Sequence, residues 1–159
     1  MNDEHLMFGV EALLRWNHPI YGFIYPPLII ALAEEADLNN KLGEWILEQA
    51  CSDLRKLKDS GIHDTVMSVN IVASQLKNNA FISTLACLMD IYEIETETIQ
   101  LEVTERVTLF DGPTLFEKLH DLKEMGILLA MDDFGMGHSS LMYLKEHGFD
   151  TVKLNALYI

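Results

Sequence analysis

Apolar residues follow two rhythms along this chain. Short apolar runs bounded by glycine or polar positions alternate with longer stretches in which apolar residues recur every three or four places. The first rhythm predicts strands over residues 8–14, 66–71, 98–103, 127–131 and 151–154. The second predicts helices over residues 26–36, 41–59, 80–92, 113–125 and 139–146. Asn39 and Asn40 break the first helix from the second and offer a cap. Gly61, Gly126 and Gly148 stop the helices before them, and Ser74 opens a polar turn.

Strand and helix therefore alternate, which is the pattern of a parallel sheet covered by helices. The runs are apolar on both sides of the alternation, as buried parallel strands are. Two architectures fit this order: an open doubly wound sheet and a (β/α) barrel. A closed barrel needs eight strands and about 250 residues. Five predicted strands do not close one, so the pattern by itself favours the doubly wound sheet.

Charge interrupts these strands in phase. Glu11 lies in the first, Asn70 ends the second and Glu102 sits in the third. Asp132 and Asp133 follow the fourth, and Lys153 lies in the fifth. Each is at or near the carboxyl end of its strand, the end that carries the active site in parallel α/β folds. Taken singly, such an acid is more often a helix cap or half of a surface pair, Asp132-Asp133 is a turn, and Lys153 is a solvated lysine. Recurrence on five strands points instead to one shared mouth. An oxygen-only set without His or Cys suits Mg²⁺ or Mn²⁺ rather than zinc. Two such ions about 3.5–4 Å apart activate water against a phosphodiester, with Lys153 holding the water or stabilising phosphate charge.

Other residues carry weaker signals. Arg15 has two readings, a phosphate contact and a structural salt bridge. The loop Gly135-Met136-Gly137-His138-Ser139-Ser140 has the composition of an anion cradle or a movable lid. His18, before Pro19, reads as a turn-packing residue. Trp16 and Trp45 read as core or helix–sheet contacts, and the methionines as core filler.

Composition narrows the function. The 159 residues are 49% hydrophobic and 23% charged, an ordinary globular mixture with a formal net charge of −14. Such a surface repels nucleic acid polymers and anionic membranes, and can gather divalent cations. Cys51 and Cys87 form no CxxC motif and read as two reduced, mostly buried thiols. No apolar run approaches the ~18 residues that span a bilayer, and the acidic start does not resemble a signal peptide. These features predict a cytoplasmic setting.

The ordered motifs resemble a known family. Glu11-Ala12-Leu13-Leu14-Arg15-Trp16, with His18-Pro19, Gly22, Pro26 and Ala33-Glu34-Glu35, is similar to the signature of EAL domains. Ser68-Val69-Asn70-Ile71 with Ser74-Gln75-Leu76 resembles the second motif of that family, and Leu101-Glu102-Val103-Thr104-Glu105 the third. Asp132-Asp133-Phe134-Gly135 with Gly137 and Ser139-Ser140-Leu141 resembles the fourth, and Val152-Lys153-Leu154 the fifth. The resemblance implies a TIM-type (β/α) barrel that hydrolyses cyclic di-GMP to linear pGpG with two Mg²⁺ or Mn²⁺ ions, in bacterial second-messenger signalling. It implies that Glu11, Asn70, Glu102 and Asp132 are metal ligands and that Asp133 serves the second ion. Lys153 would contact the catalytic water, with Glu11 beside it in the catalytic set. Arg15 and Leu13 would face the substrate, and Glu105 would anchor the loop 133–140, which couples dimerisation to metal binding in the family.

The departures from the family pattern shape the expectation further. A strand with a Gln-Pro motif precedes the first motif in the family. A Glu-Gly-Val-Glu-like strand and a Gln-Gly strand follow the last. None of these is in residues 1–159, so the chain reads as one partial EAL domain, an incomplete α/β barrel with about five strands. The Glu completes the family's metal site and the Gln helps bind guanine. Asn155 stands where the family usually has Asp, Met136 where it has a small or hydroxyl residue, and His138 where it has an aromatic. Three readings follow: a phosphodiesterase, a module that binds cyclic di-GMP or a protein without hydrolysis, and an inactive remnant. Uncovered strand edges predict a homodimer.

Overall fold

The computed structural model describes residues 9–105, 113–134 and 148–154. Five strands form a parallel sheet: β1 (Gly9–Ala12), β4 (Val66–Asn70), β5 (Ile99–Thr104), β6 (Leu128–Phe134) and β7 (Thr151–Leu154), in that spatial order. The order follows the sequence with no reversal, and the sheet curls into half a barrel. A doubly wound sheet grows outward in both directions from a switch point. Here each new strand adds to the same edge, so the barrel architecture holds and the doubly wound expectation does not.

The helices are α1 (Pro26–Glu35), α2 (Asn39–Asp59), α3 (Ala73–Lys77), α4 (Phe81–Tyr92) and α5 (Pro113–Glu124). Buried positions repeat at helical spacing: Leu47, Ala50, Cys51 and Leu54 on α2, then Phe81, Leu85 and Met89 on α4. On α5, Leu115, Leu119 and Leu122 are buried. These stripes join one face of the sheet, Met67 and Val69 of β4, Ile99, Leu101 and Val103 of β5 and Leu129 of β6, in a single core. Each buried large apolar side chain there contributes roughly 1.5–3 kcal/mol of transfer free energy. Alternation along the strands leaves the opposite, concave face to Ser68, Gln100 and Glu102.

Several elements differ from the sequence reading. Residues 16–24 form a small antiparallel hairpin, β2 (Trp16–His18) with β3 (Gly22–Ile24), which three-residue strands are too short to announce by alternation. His18 does pack the turn, its Nδ1 accepting from the backbone N–H of Ile20 at 3.2 Å and of Tyr21 at 3.3 Å. Ser74 lies inside the short helix α3 rather than opening a turn, and Gln75 Oε1 accepts the Val72 N–H at 2.8 Å to start that helix. Trp16 and Trp45 are exposed rather than core. Cys51 is buried as expected, but Cys87 is exposed. The helix predicted over 139–146 lies outside the described residues, as do Met136, His138 and Asn155.

β6 continues three residues past its predicted end, through Asp132 and Asp133 to Phe134. The register with β7 shifts between Met131 and Phe134, and Asp133 adopts φ 55°. The two aspartates therefore sit on an irregular strand end that aims neighbouring side chains differently from a regular strand.

Candidate active site

Parallel register carries the polar residues to one end of the half-barrel. Glu11 pairs in register with Ser68, Asn70 with Glu102, and Thr104 with Asp132. The Asn70 side-chain N–H donates to Glu11 Oε1 at 2.8 Å, tying the ends of β1 and β4. Lys153 reaches in from β7. Its ammonium pairs with Glu102 Oε1 and stands 3.7 Å from Glu11 Oε2. Glu11, Asn70, Glu102 and Lys153 thus meet through direct contacts.

Glu102 is the most confined of these groups, with its carboxylate sealed from solvent on a strand buried from Ile99 to Val103. The Lys153 ion pair is its compensation, since an unpaired buried charge is strongly unfavourable. Lys153 engages Oε1, whereas Oε2 has no hydrogen-bond partner among the described residues and keeps its lone pairs open inside the protein. Partial burial works against the charged form of Lys153. Glu102 first, then Glu11 and Asp132, outweigh it and raise the ammonium above the usual lysine pKa.

Asp132 is half-buried and Asp133 exposed, and the Asp133 N–H donates to Asp132 Oδ1 at 2.9 Å. Glu105, just past β5, is buried, while the loop it is expected to anchor lies outside the described residues beyond Phe134. Arg15 and Leu13 are not brought to the carboxylates. They line a separate depression of about 240 Å³ between the end of β1 and α2, with Trp45 and Asp53. Arg15 Nη1 donates to the Leu14 carbonyl at 2.9 Å, and among the described residues it forms no salt bridge.

The concave face forms a cavity of about 400 Å³ whose wall includes Glu11, Ser68, Gln100, Thr151 and Lys153. The donors around it are carboxylate and amide oxygens, which match the preference of Mg²⁺ and Mn²⁺. The open lone pairs of Glu102 are the specific feature that a hard cation fits. Among the described residues no three acidic, imidazole or thiol side chains gather as a preformed cage. The Lys153 ammonium instead supplies positive charge between Glu11 and Glu102.

The sequence reading missed Ser68, Gln100 and Thr151. Gln100 Nε2–H donates to Ser68 Oγ at 2.9 Å, and Thr151 Oγ1–H donates to Gln100 Oε1 at 3.1 Å. Each stands two positions before a predicted site residue, on the same side of its strand. That offset was a signal available in the sequence.

A parallel half-barrel with carboxylates, an amide and a lysine at its strand ends defines a (β/α)-barrel protein with a polyvalent acidic site. The EAL domain model matches residues 2–159, and the chain belongs to that family. It is 37% identical over 153 residues to the bifunctional diguanylate cyclase/cyclic di-GMP phosphodiesterase MucR of Pseudomonas aeruginosa, covering 96% of this chain and 22% of that protein. It is 34% identical over 150 residues to the cyclic di-GMP phosphodiesterase NbdA of the same species, covering 94% of this chain and 19% of that protein. The chain therefore spans only about a fifth of these curated relatives. Among solved structures, the MucR phosphodiesterase in complex with cyclic di-GMP superposes with a TM-score of 0.88 at 37% identity, over 94% of this chain and 60% of that one. Among the described residues, no helix is long and apolar enough to cross a membrane.

Proposed function

We propose that residues 1–159 are one partial EAL domain that works in the hydrolysis of cyclic di-GMP to pGpG. The observation that carries this reading is the buried Glu102 carboxylate, with open lone pairs, held against Lys153 beside Glu11 and Asn70. Glu11, Asn70, Glu102 and Asp132 would hold Mg²⁺ or Mn²⁺, and Asp133 would serve a second ion. Bound ions supply Lewis-acid polarisation of the phosphate and a more acidic water. The side chains divide the remaining work. Glu102 and Glu11 fix the Lys153 ammonium, which orients the attacking water by donating an N–H to its oxygen and offsets charge on the phosphate oxygens. Burial of Glu102 keeps bulk water from screening that charge. Water adds to one phosphorus and the 3′ oxygen leaves with a proton, which gives the linear dinucleotide.

Arg15 and Leu13 are proposed to reach the substrate from the rim, with Arg15 giving up its bond to the Leu14 carbonyl for a phosphate. Glu105 is proposed to hold the loop 133–140. A cytoplasmic homodimer completes the reading. A single dimer in light scattering supports the dimer, and a clean monomer removes it.

One feature favours a second reading, binding without hydrolysis: Asn155 where the family usually carries Asp. Incubation of the purified protein with cyclic di-GMP and Mg²⁺ or Mn²⁺, followed by chromatography, separates the two. Formation of pGpG that is lost in Glu11→Ala supports the enzyme. Tight binding with no product from folded protein supports the binding module instead.

A further inference from the structure

The concave face carries two stacked polar layers. The upper layer is the site itself: Asn70, Glu102 and Lys153. The lower layer is Ser68, Gln100 and Thr151, each two residues earlier on the same strand. In a strand that offset places the two side chains on one face, about 6–7 Å apart. The lower layer is continuous. The buried Gln100 amide donates to Ser68 Oγ on β4 at 2.9 Å and accepts from Thr151 Oγ1 on β7 at 3.1 Å.

The bond to Thr151 crosses an entire strand. β6 lies between β5 and β7, and its Ala130 pairs in register with both Glu102 and Thr151. Backbone pairing alone ties β7 only to β6, and irregularly, since that register shifts after Met131. Gln100 to Thr151 is thus a direct side-chain tie between β5 and β7. A second such tie is the ion pair of Glu102 with Lys153, one layer above.

We propose that Gln100 is a positioning residue. By bridging Ser68 and Thr151 it fixes the spacing of β4, β5 and β7, and so places the Lys153 ammonium against Glu102. Its role in turnover rests on the phosphodiesterase reading, whereas its effect on Lys153 does not. Leu in place of Gln100 keeps the volume and removes both bonds.

The test uses purified protein labelled with ¹³C at the lysine ε carbon, with the Lys153 resonance identified by its loss in Lys153→Arg. In Gln100→Leu that resonance shifts away from its wild-type position. In turnover assays Gln100→Leu lowers kcat by roughly 10–100-fold with KM held within about two-fold, as misplacement of a reacting group does. Thr151→Val, which cuts only one bond, gives the same pattern more weakly and carries the test if Gln100→Leu does not fold. An unmoved Lys153 resonance in either folded variant overturns the proposal. Absence of turnover in the wild type counts against the phosphodiesterase reading alone, and the Lys153 resonance still decides the role of Gln100.

Discussion

The carboxylate of Glu102 on β5 and the ammonium of Lys153 on β7 meet across the intervening strand β6, with Glu102 sealed from solvent and Lys153 about one-third open. Burial of one partner makes the pair asymmetric. In metal-free buffer, Lys153→Met leaves a buried carboxylate uncompensated and lowers stability by roughly 1–3 kcal/mol. Adding Glu102→Gln to that variant restores most of the loss, because a neutral amide tolerates the site better. Urea unfolding of the single and double variants measures both changes. An unchanged midpoint in Lys153→Met means that the pair contributes nothing to folding.

Asn70 donates to Glu11 Oε1 at 2.8 Å, so an aspartate at this position sets two carboxylates against each other. Asn70→Asp is expected to melt lower than wild type at pH 8 in the presence of a chelator. Mg²⁺ or Mn²⁺ then raises its melting temperature more than it raises that of wild type, since an ion that binds the folded state stabilises it by mass action. Equal gains in the two proteins would count against ion binding at this pair.

Gly43 lies in the second turn of α2, where alanine normally adds about 1 kcal/mol of helix stability. Here the sign reverses. A Cβ at Gly43 falls 2.9 Å from Gln75 Cδ, and Gln75 is buried with its Oε1 committed to the Val72 N–H. Gly43→Ala must displace that side chain and is expected to destabilise by about 1–3 kcal/mol. Gly43→Ala with Gln75→Ala recovers part of the loss. Thermal melts of the three variants decide, and a stabilised Gly43→Ala contradicts the close approach.

The two cysteines differ in reactivity. Exposed Cys87 is expected to react with a thiol reagent in the native protein, and Cys51 only after unfolding. Burial pushes the Cys51 thiol from 9.0 up to about 11. Between these values the unfolded chain releases a proton that the folded chain keeps. The Cys51 contribution is therefore fully present below pH 9 and is lost as pH rises toward 11. The slope is at most about 1.4 kcal/mol per pH unit. Denaturant unfolding from pH 8 to 11 shows this slope in wild type and a shallower one in Cys51→Ala. Identical slopes in both proteins rule out burial of this thiol as their cause.

Much of the fold was legible because buried parallel strands advertise themselves. The strand expected over 66–71 ends one residue early, at Asn70, and the strand expected over 98–103 runs one residue later, from Ile99 to Thr104. The hairpin Trp16–His18 with Gly22–Ile24 was not legible, since its strands are short and its aromatic residues face solvent. The choice between half-barrel and doubly wound sheet depends on spatial strand order, which local pattern does not encode; the family motifs carried it. At the site, Glu11, Asn70, Glu102 and Lys153 were legible as polar residues in apolar strands. Ser68, Gln100 and Thr151, bonded to one another, were marked only by standing two positions before Asn70, Glu102 and Lys153. The place of Arg15 depended on packing between β1 and α2, which no motif specifies.

The most direct test of the acid–lysine cluster as a hydrolytic site is a single-turnover reaction with cyclic di-GMP and Mn²⁺ in H₂¹⁸O, read by mass spectrometry. The predicted product is pGpG with one ¹⁸O in its terminal phosphate, formed by wild type and absent from folded Glu102→Gln. Intact cyclic di-GMP from wild-type protein that demonstrably binds it, or labelled pGpG formed at the wild-type rate by Glu102→Gln, would contradict it.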